Sequence, residues 1–422
     1  MKKHHQILII GAGTAGITVA ARLLRARPGL DVALIDPAEY HYYQPAWTLV
    51  GAGTYDFKKT RRPMAQVIPK GATWIQDRVV GLDPANNRVE TARNGTLTYD
   101  FLVAAPGIQL NLDQLPGLRQ GLENGSVLSI YVDPEKTWET IRNFKGGTAL
   151  FTQPATPIKC GGAPQKIMYL ADDWWRKTGV RPNTTIVFAT PGSVIFGVEP
   201  FKQTLMQVVN RKDIHLRFFH KLTRIDPADK VAYYTITQHA GEPDKLYHNP
   251  KPLNEQWLGE NEVAIPFDLL HLAPPQSAPD FVRNSPLAVQ DGPNKGWIEA
   301  DIHTLQHLRF PNVFALGDAA ALPTAKTGAA VRKQAPVLVQ NLLRLLEKQA
   351  PPTAQYQGYS SCPIVTGYGK MLLAEFKYDN VRDSDPLIST FVDTSKEQYS
   401  MWLLKKYGLP FMYWNLMLKG RA

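Results

Sequence analysis

Gln6-Ile7-Leu8-Ile9-Ile10-Gly11-Ala12-Gly13-Thr14-Ala15-Gly16 decides the fold. Residues 6 to 10 read as a short buried strand, apolar from Ile7 on and ended by glycine. Ile17 to Arg27 reads as a helix, and Asp31 to Ile35 as a second strand running into Asp36. Strand, glycine turn, helix, strand and acid, in that order, form a dinucleotide-binding unit. Gly11 makes the tight turn, Gly13 lets the backbone approach a pyrophosphate, and Gly16 lets helix and strand pack closely. The first helical N–H groups, that of Ala15 included, face the phosphates. Asp36 stands 20 residues past Gly16, the reach needed to accept from a ribose hydroxyl. Lys2-Lys3-His4-His5 before the apolar run resembles the start of a signal peptide, but the patterned glycines give that run a better use. With no presequence read, export or organelle import gains no support.

Outward from this unit, Phe101 to Ala105, stopped by Pro106-Gly107, reads as a third buried strand of the same sheet. Far along the chain, Asn312-Val313-Phe314-Ala315-Leu316-Gly317-Asp318 is a strand that runs into an acid, and a helix is expected from about Thr327 to Glu347. Reduced flavin carries negative charge, which a helix N-terminus stabilises. The pattern resembles two-dinucleotide-domain flavoproteins, in which an acid at such a strand end contacts the ribityl chain; the resemblance implies that role for Asp318, with Gly317, Lys326 and Gly328 as further cofactor residues. The alternative for Asp318 is an N-cap acid with no ligand; joined to the first glycine turn, FAD is the better reading. Gln44 lies in a loop expected to pass the same cofactor.

The middle of the chain repeats the α/β pattern without the phosphate turn. Thr185 to Ala189 is a strand and Val198 to Asn210 a helix, but Thr190-Pro191-Gly192-Ser193 between them has no Gly-x-Gly-x-x-Gly. A nicotinamide dinucleotide needs that turn, so a small electron donor is expected instead. Residues 228 to 262 read as a hairpin or loop insertion, and 348 to 361 as a linker. The chain of 422 residues therefore divides into a discontinuous FAD-binding domain (1–112 and 263–347), a second Rossmann-like domain (113–262) and a C-terminal region (348–422).

The net charge is +10, with no basic run interleaved with aromatics of the kind nucleic acid demands. Residues 396 to 422 hold five Lys or Arg against one acid, among apolar aromatics. Tyr399, Trp402 and Leu403 fall on one helical face, Gly408-Leu409-Pro410 is expected to break the helix, and Phe411 to Leu418 is nearly all apolar. These pieces are too short to span a bilayer and suit its interface; a helix buried against the body or a dimer partner is the alternative. The two cysteines, Cys160 and Cys362, are too few for a disulfide scaffold or a Cys-rich zinc site, and no metal site is expected. His303 and His307, four apart with no carboxylate partner between them, read as surface or packing residues. The cysteines stand half the chain apart, each beside small residues: Gly161-Gly162, and Ser360-Ser361. Lys159 and Lys166 are placed to lower a thiol pKa, although Lys166 equally reads as a solvated helix charge. His41 reads equally as a proton relay and as a capped structural histidine.

Together, His41-Tyr42-Tyr43-Gln44-Pro45-Ala46-Trp47, Lys159-Cys160-Gly161-Gly162-Ala163-Pro164-Gln165-Lys166 and Gly358-Tyr359-Ser360-Ser361-Cys362-Pro363 resemble the sulfide:quinone oxidoreductases, closest to the branch with the mitochondrial enzymes. The resemblance spans nearly the whole chain. It implies an α/β fold of two Rossmann-like dinucleotide-binding domains, glutathione-reductase-like, with a C-terminal amphipathic segment on a membrane surface. Some members carry a third cysteine bonded to the flavin; its lack here implies non-covalent FAD. The resemblance also implies that the cysteines are bridged through sulfur beside the flavin, and that hydrogen sulfide opens the bridge to leave a persulfide on Cys160 while Cys362 faces the flavin. A sulfur acceptor completes the turnover.

With no cytochrome motif and no iron–sulfur cysteines, ubiquinone or menaquinone is the expected electron acceptor, with Tyr368, Phe376 and Phe391 to line its channel. The expected setting is the cytoplasmic face of a bacterial inner membrane, with a homo-oligomer left open. Rival readings are an NADH:quinone reductase, a flavin-bound redox module without sulfide turnover, and a sulfide dehydrogenase serving a cytochrome subunit.

Overall fold

A computed structural model describes residues 2–238, 246–348 and 352–422. Parts of the expected insertion (239–245) and linker (349–351) lie outside the described residues. The first strand is His4–Ile10, and the helix after the glycine turn is Thr14–Ala26, starting three residues before the expected Ile17. Val32–Ile35 pairs in parallel on one side of the first strand, and Gly95–Ala104 on the other. Ala72–Ile75 extends one edge in parallel. At the other edge, Gly95–Ala104 is shared. Its first half pairs antiparallel with Arg88–Thr91, and its last three residues pair in parallel with Val313–Ala315. The late strand thus enters the first sheet beside the Phe101–Ala105 run.

Parallel strands end on the same side of a sheet. Gly11, Pro106-Gly107 and Gly317, each just past such a strand, are therefore brought to one edge, where open α/β sheets bind ligands. Gly11 has φ 95°, and a Cβ there would lie 2.3 Å from the Ala105 carbonyl oxygen. A Cβ on Gly16 would lie 1.8 Å from the Gly11 carbonyl oxygen. These two positions admit only glycine, so turn, helix and sheet close on one another.

The second sheet holds Val127–Leu128, Leu269–Leu272, Gly147–Thr152, Thr184–Ala189 and Ile214–Arg217, all parallel, with Tyr247–His248 antiparallel at its edge. An antiparallel meander of His220–Asp226, Val231–Ile236, Glu262–Pro266 and Gln256–Trp257 leans on it. This corrects the expected boundary at residue 263. Strands 262–266 and 269–272 still pair within the middle of the chain, and the return runs through Gln276–Ser277, which pairs with Gln109–Leu110. The crossing is set by strand pairing, which local sequence does not display.

The C-terminal region is a hairpin, Ser360–Gly367 with Lys370–Phe376, followed by short helices. Gly408-Leu409-Pro410 does not break the last one, contrary to expectation. Tyr399–Leu403 passes into a wide turn, Leu404–Gly408, and on into Leu409–Asn415. The Leu409 N–H donates to the Leu404 carbonyl, five residues back. The wide turn absorbs a proline that has no N–H to give. Trp402 is buried, while Tyr399 (64% exposed), Leu403, Tyr407 and Phe411 (63%) face outward at four-residue intervals. The expected face is thus split, with Trp402 on the inner side. Tyr413, Trp414, Met417 and Leu418 are buried against the first sheet's core. Among the described residues no helix is long and apolar enough to cross a membrane.

Gly16→Ala should lower unfolding stability by about 2–3 kcal/mol, the overpacking range, read as a fall in the urea midpoint.

Candidate functional site

Cys160 precedes the helix Ala163–Lys177 and has φ 53°, a left-handed conformation that costs a non-glycine residue about 1 kcal/mol or more. Three bonds hold it there. Its N–H donates to the Lys326 carbonyl at 2.9 Å, its carbonyl accepts from the Ala163 N–H at 2.8 Å, and the Tyr131 hydroxyl reaches the same carbonyl at 3.3 Å. Lys326 lies two residues before the helix Gly328–Leu346.

Cys362 comes from the hairpin strand Ser360–Gly367 and is 4% exposed. Alternate strand residues share a face, and Ser360, two residues earlier, hydrogen-bonds Thr327 Oγ1 at 2.8 Å. Thr327 caps the same helix, accepting from the Ala330 N–H. Both cysteine segments are thus tied to one helix mouth. A Cβ on Gly162 would lie 2.8 Å from Cys362 Sγ, so the second glycine of Cys-Gly-Gly makes room for the other sulfur. Both cysteines are free thiols in this structure.

Lys166, one turn into the helix Ala163–Lys177, is buried with Nζ 3.2 Å from Cys160 Sγ. Its alternative reading as a solvated charge is thereby corrected. Burial pulls its ammonium down, but the two sulfurs more than offset this and hold it above its ordinary value. A hydrogen bond from the Cys362 thiol, with Lys166 and Lys405 adding their charge against the cost of burial, holds Cys160 well below the usual thiol range. The same hydrogen bond, and burial, hold Cys362 well above it. Of the two, Cys160 is the sulfur that more readily gives up its proton. An ammonium buried with no anion costs several kcal/mol, and the thiolate is its counter-charge.

Lys405 was missed in the sequence. It lies in the wide C-terminal turn on the inner side with Trp402, and its Nζ donates to the Pro45 carbonyl at 2.8 Å. Burial, then the neighbouring Lys166, pull it down to about 8. Its i,i+3 spacing places it on the face of Trp402, which becomes a signal only once Trp402 is seen to be buried. Lys159 faces elsewhere: its Nζ bonds Gln44 Oε1.

The expected cofactor residues gather around this helix mouth and the sheet edge. Gly13, Gly107 and Gly328 have no atom within 4 Å of where a Cβ would sit, whereas a Cβ on Gly317 would touch Ala15 at 3.2 Å. Asp36 accepts from the Ala12 and Ala38 N–H groups, leaving lone pairs for a ribose. Asp318 is raised by burial, opposed by the Lys159 and Lys326 ammoniums. Lys326 lies over the Trp297 ring at 3.9 Å and is pulled down to about 8 by burial. Gln276 Oε1 takes the Lys159 N–H, and its Nε2 is a buried donor with no partner among the described residues. Open glycine faces, a helix N-terminus, a half-buried acid near two cations and a spare donor fit an anionic dinucleotide carrying a polar ring.

The three expected quinone residues are not gathered. Tyr368 and Phe376 sit at opposite ends of the hairpin; Phe376 packs on Phe196 in the core, and Phe391 is 81% exposed. The Tyr368 hydroxyl donates to the Ala52 carbonyl, and its ring lies edge-on to Trp402. His41 is the capped histidine, held between the Ala12 carbonyl and the Tyr413 hydroxyl, and burial pulls it down to about 4. His303 and His307 bond the carbonyls of Tyr356 and Leu287 rather than each other.

Lys166→Met should return Cys160 toward an ordinary thiol. In reduced protein at about pH 6, where only a lowered thiol stays ionised, alkylation by iodoacetamide should slow at least about tenfold, measured by mass spectrometry of the Cys160 peptide.

Residues 5–144 match the pyridine nucleotide-disulphide oxidoreductase family. The chain is 40% identical over 421 residues to a mitochondrial sulfide:quinone oxidoreductase of Mus musculus, covering 99% of this chain and 87% of that protein. It is 38% identical over 426 residues to the Dictyostelium discoideum counterpart, covering 100% and 87%. The solved sulfide:quinone oxidoreductase of Aquifex aeolicus superposes with a TM-score of 0.75 at 19% identity, covering 98% and 92% of the two chains. With the paired sulfurs at the dinucleotide edge already described, these full-length identities show that the chain belongs to the sulfide:quinone oxidoreductase family.

Proposed function

We propose that this chain oxidises hydrogen sulfide to persulfide or polysulfide sulfur and passes the two electrons to a membrane quinone, ubiquinone or menaquinone, through non-covalently bound FAD. The observation that carries the reading is the meeting of Cys160 and Cys362 beside Lys166 at the mouth of the helix Gly328–Leu346. When bound, the flavin takes up two electrons and hands them on to quinone. Gly11, Gly13, Ala15, Gly16 and Asp36 would hold its dinucleotide portion, and Gln44, Pro106, Gly107, Gly317, Asp318, Lys326 and Gly328 the remainder.

The sulfur chemistry falls to the cysteines in their bridged form. Hydrosulfide attacks one sulfur of the bridge. A new S–S bond forms to the incoming sulfur, the old one breaks, and its electron pair leaves on the other cysteine as thiolate. Two effects compete over which cysteine is attacked. The cations favour Cys160 as the leaving thiolate, whereas access favours it as the point of attack. Access decides, because Cys362 is 4% exposed and Cys160 is only half-buried. Lys166 and Lys405 also act on Cys362, so a thiolate there is stabilised too. Cys160 therefore carries the persulfide and Cys362 faces the flavin. The turn at Thr190-Pro191-Gly192-Ser193 closes on itself, the Gly192 N–H donating to Thr190 Oγ1, which supports a donor other than NADH.

The outer stripe of Tyr399, Leu403, Tyr407 and Phe411, with Lys406 beside it, is the proposed membrane surface. Tyr368 and Phe391 stay with the quinone proposal; Phe376, packed in the core, does not. The Mus musculus and Dictyostelium discoideum relatives are named as mitochondrial, so the narrower expectation of a bacterial inner membrane draws no support from them.

Cys160→Ser and Cys362→Ser should each abolish anaerobic bleaching of the flavin by sulfide, by at least about a thousandfold in rate, with the visible flavin spectrum of the oxidised protein unchanged. Rapid bleaching in either variant defeats the two-thiol reading, and bleaching of the parent protein by NADH alone defeats the donor assignment. Replacing Leu403, Tyr407 and Phe411 together by Ser should move the protein from the vesicle-bound to the free fraction in flotation. These outward positions are the ones to change, since truncating the tail would also remove Lys405 and Tyr413 from the interior.

A further inference from the structure

Tyr413 reaches from the last helix to the opposite end of the chain. Its hydroxyl lies 2.8 Å from Thr14 Oγ1 and 2.5 Å from His41 Nε2. His41 Nδ1 lies 3.1 Å from the Ala12 carbonyl oxygen. A carbonyl only accepts, so in the neutral ring Nδ1 carries the hydrogen and Nε2 the lone pair. Tyr413 must then donate to His41, and its oxygen accepts from the Thr14 hydroxyl. One arrangement of hydrogens satisfies all four groups, running Thr14 to Tyr413 to His41 to Ala12.

Both ends of this relay lie in the glycine turn. Ala12 sits between Gly11 and Gly13, and Thr14 is the first residue of the helix. Both peptide units that flank the Ala12 Cα are held, the first through the Ala12 N–H to Asp36 at 2.7 Å and the second through the Ala12 C=O to His41. A trans peptide keeps its C=O and N–H on opposite sides, so a bond fixing the Ala12 carbonyl toward His41 also fixes where the Gly13 N–H points. Gly13 is the position with open space around it.

Packing makes the contact firm. The Tyr413 ring lies 4.6 Å from Tyr43, and the Arg62 guanidinium covers Trp414 at 4.3 Å. Gly420 sits so close to the helix Thr14–Ala26 that a Cβ would lie 2.9 Å from the Ala21 carbonyl carbon. Tyr413 lies in the sequence run read for membrane contact, yet it is buried and hydrogen-bonded to the opposite terminus.

We propose that Tyr413, acting through His41 and Thr14, is a positioning residue for the dinucleotide turn, so that the C-terminal segment sets how tightly FAD is held. This rests on the FAD reading above. Wild type, Tyr413→Phe, Thr14→Val and Thr14→Ser are stripped of flavin and titrated with FAD, with quenching of flavin fluorescence as the readout. Thermal unfolding of each apoprotein is recorded alongside. Tyr413→Phe and Thr14→Val should bind FAD about tenfold more weakly, the size of one lost hydrogen bond in a buried network. Thr14→Ser keeps the hydroxyl and should stay within about twofold of wild type. Apoprotein midpoints should agree within about 2 °C. Unchanged affinity in Tyr413→Phe overturns the proposal, and so does weakened affinity with a matching loss of apoprotein stability. Should Thr14→Val fail to fold, Tyr413→Phe and Thr14→Ser decide. Failure of wild type to bind FAD is a separate result that removes the cofactor reading itself.

Discussion

The mouth of the helix Gly328–Leu346 is the constraint on which the site depends. The Lys326 carbonyl takes the Cys160 N–H, and the capping hydroxyl of Thr327 meets Ser360, two residues from Cys362. Neither bond is strong alone; each contributes on the order of 1 kcal/mol net. Their effect is positional. They bring two sulfurs from distant parts of the chain to the same few ångströms, beside a helix end that already favours negative charge. Cys160 accepts a left-handed backbone to be there. That strain is sustained because its peptide groups are bonded on both sides.

Charge follows from the same geometry. Two lysines are buried against two sulfurs, and neither would survive in a dry interior as an unpaired ammonium. Lys166 is held charged by the sulfurs while Lys405, more loosely compensated, falls to about 8. The thiolate is therefore a condition of the packing as much as a reagent. Asp318 near Lys159 and Lys326 repeats the arrangement with the sign reversed, an acid whose charge two cations favour against the cost of burial.

The C-terminal helices join an outer surface to this interior. One face shows Tyr399, Leu403, Tyr407 and Phe411; the other carries Trp402, Lys405 and, further on, Tyr413. A sequence of aromatics and lysines cannot tell these faces apart while the helix is assumed to end at Gly408. Once the wide turn carries it past Pro410, the periodicity separates them. The tail is then a structural part of the protein's interior, and the alternative of a helix buried against the body is realised for Tyr413, Trp414, Met417 and Leu418.

Much of this was legible in the chain itself. The turn at Gly11, Gly13 and Gly16, the acid at Asp36 and the late strand into Asp318 announce a dinucleotide fold, because each requirement there is local: a backbone angle, a missing Cβ, a strand end. The small residues flanking Cys160 and Cys362 showed little side-chain bulk beside the sulfurs for the same reason. The end of the middle unit at 272 rather than 263, the burial of Lys166, the reach of Lys405 and the bond from Tyr413 to Thr14 were decided only in three dimensions. They depend on which strands pair and on which side of a helix meets the body, and those choices are made by segments hundreds of residues apart competing for the same core.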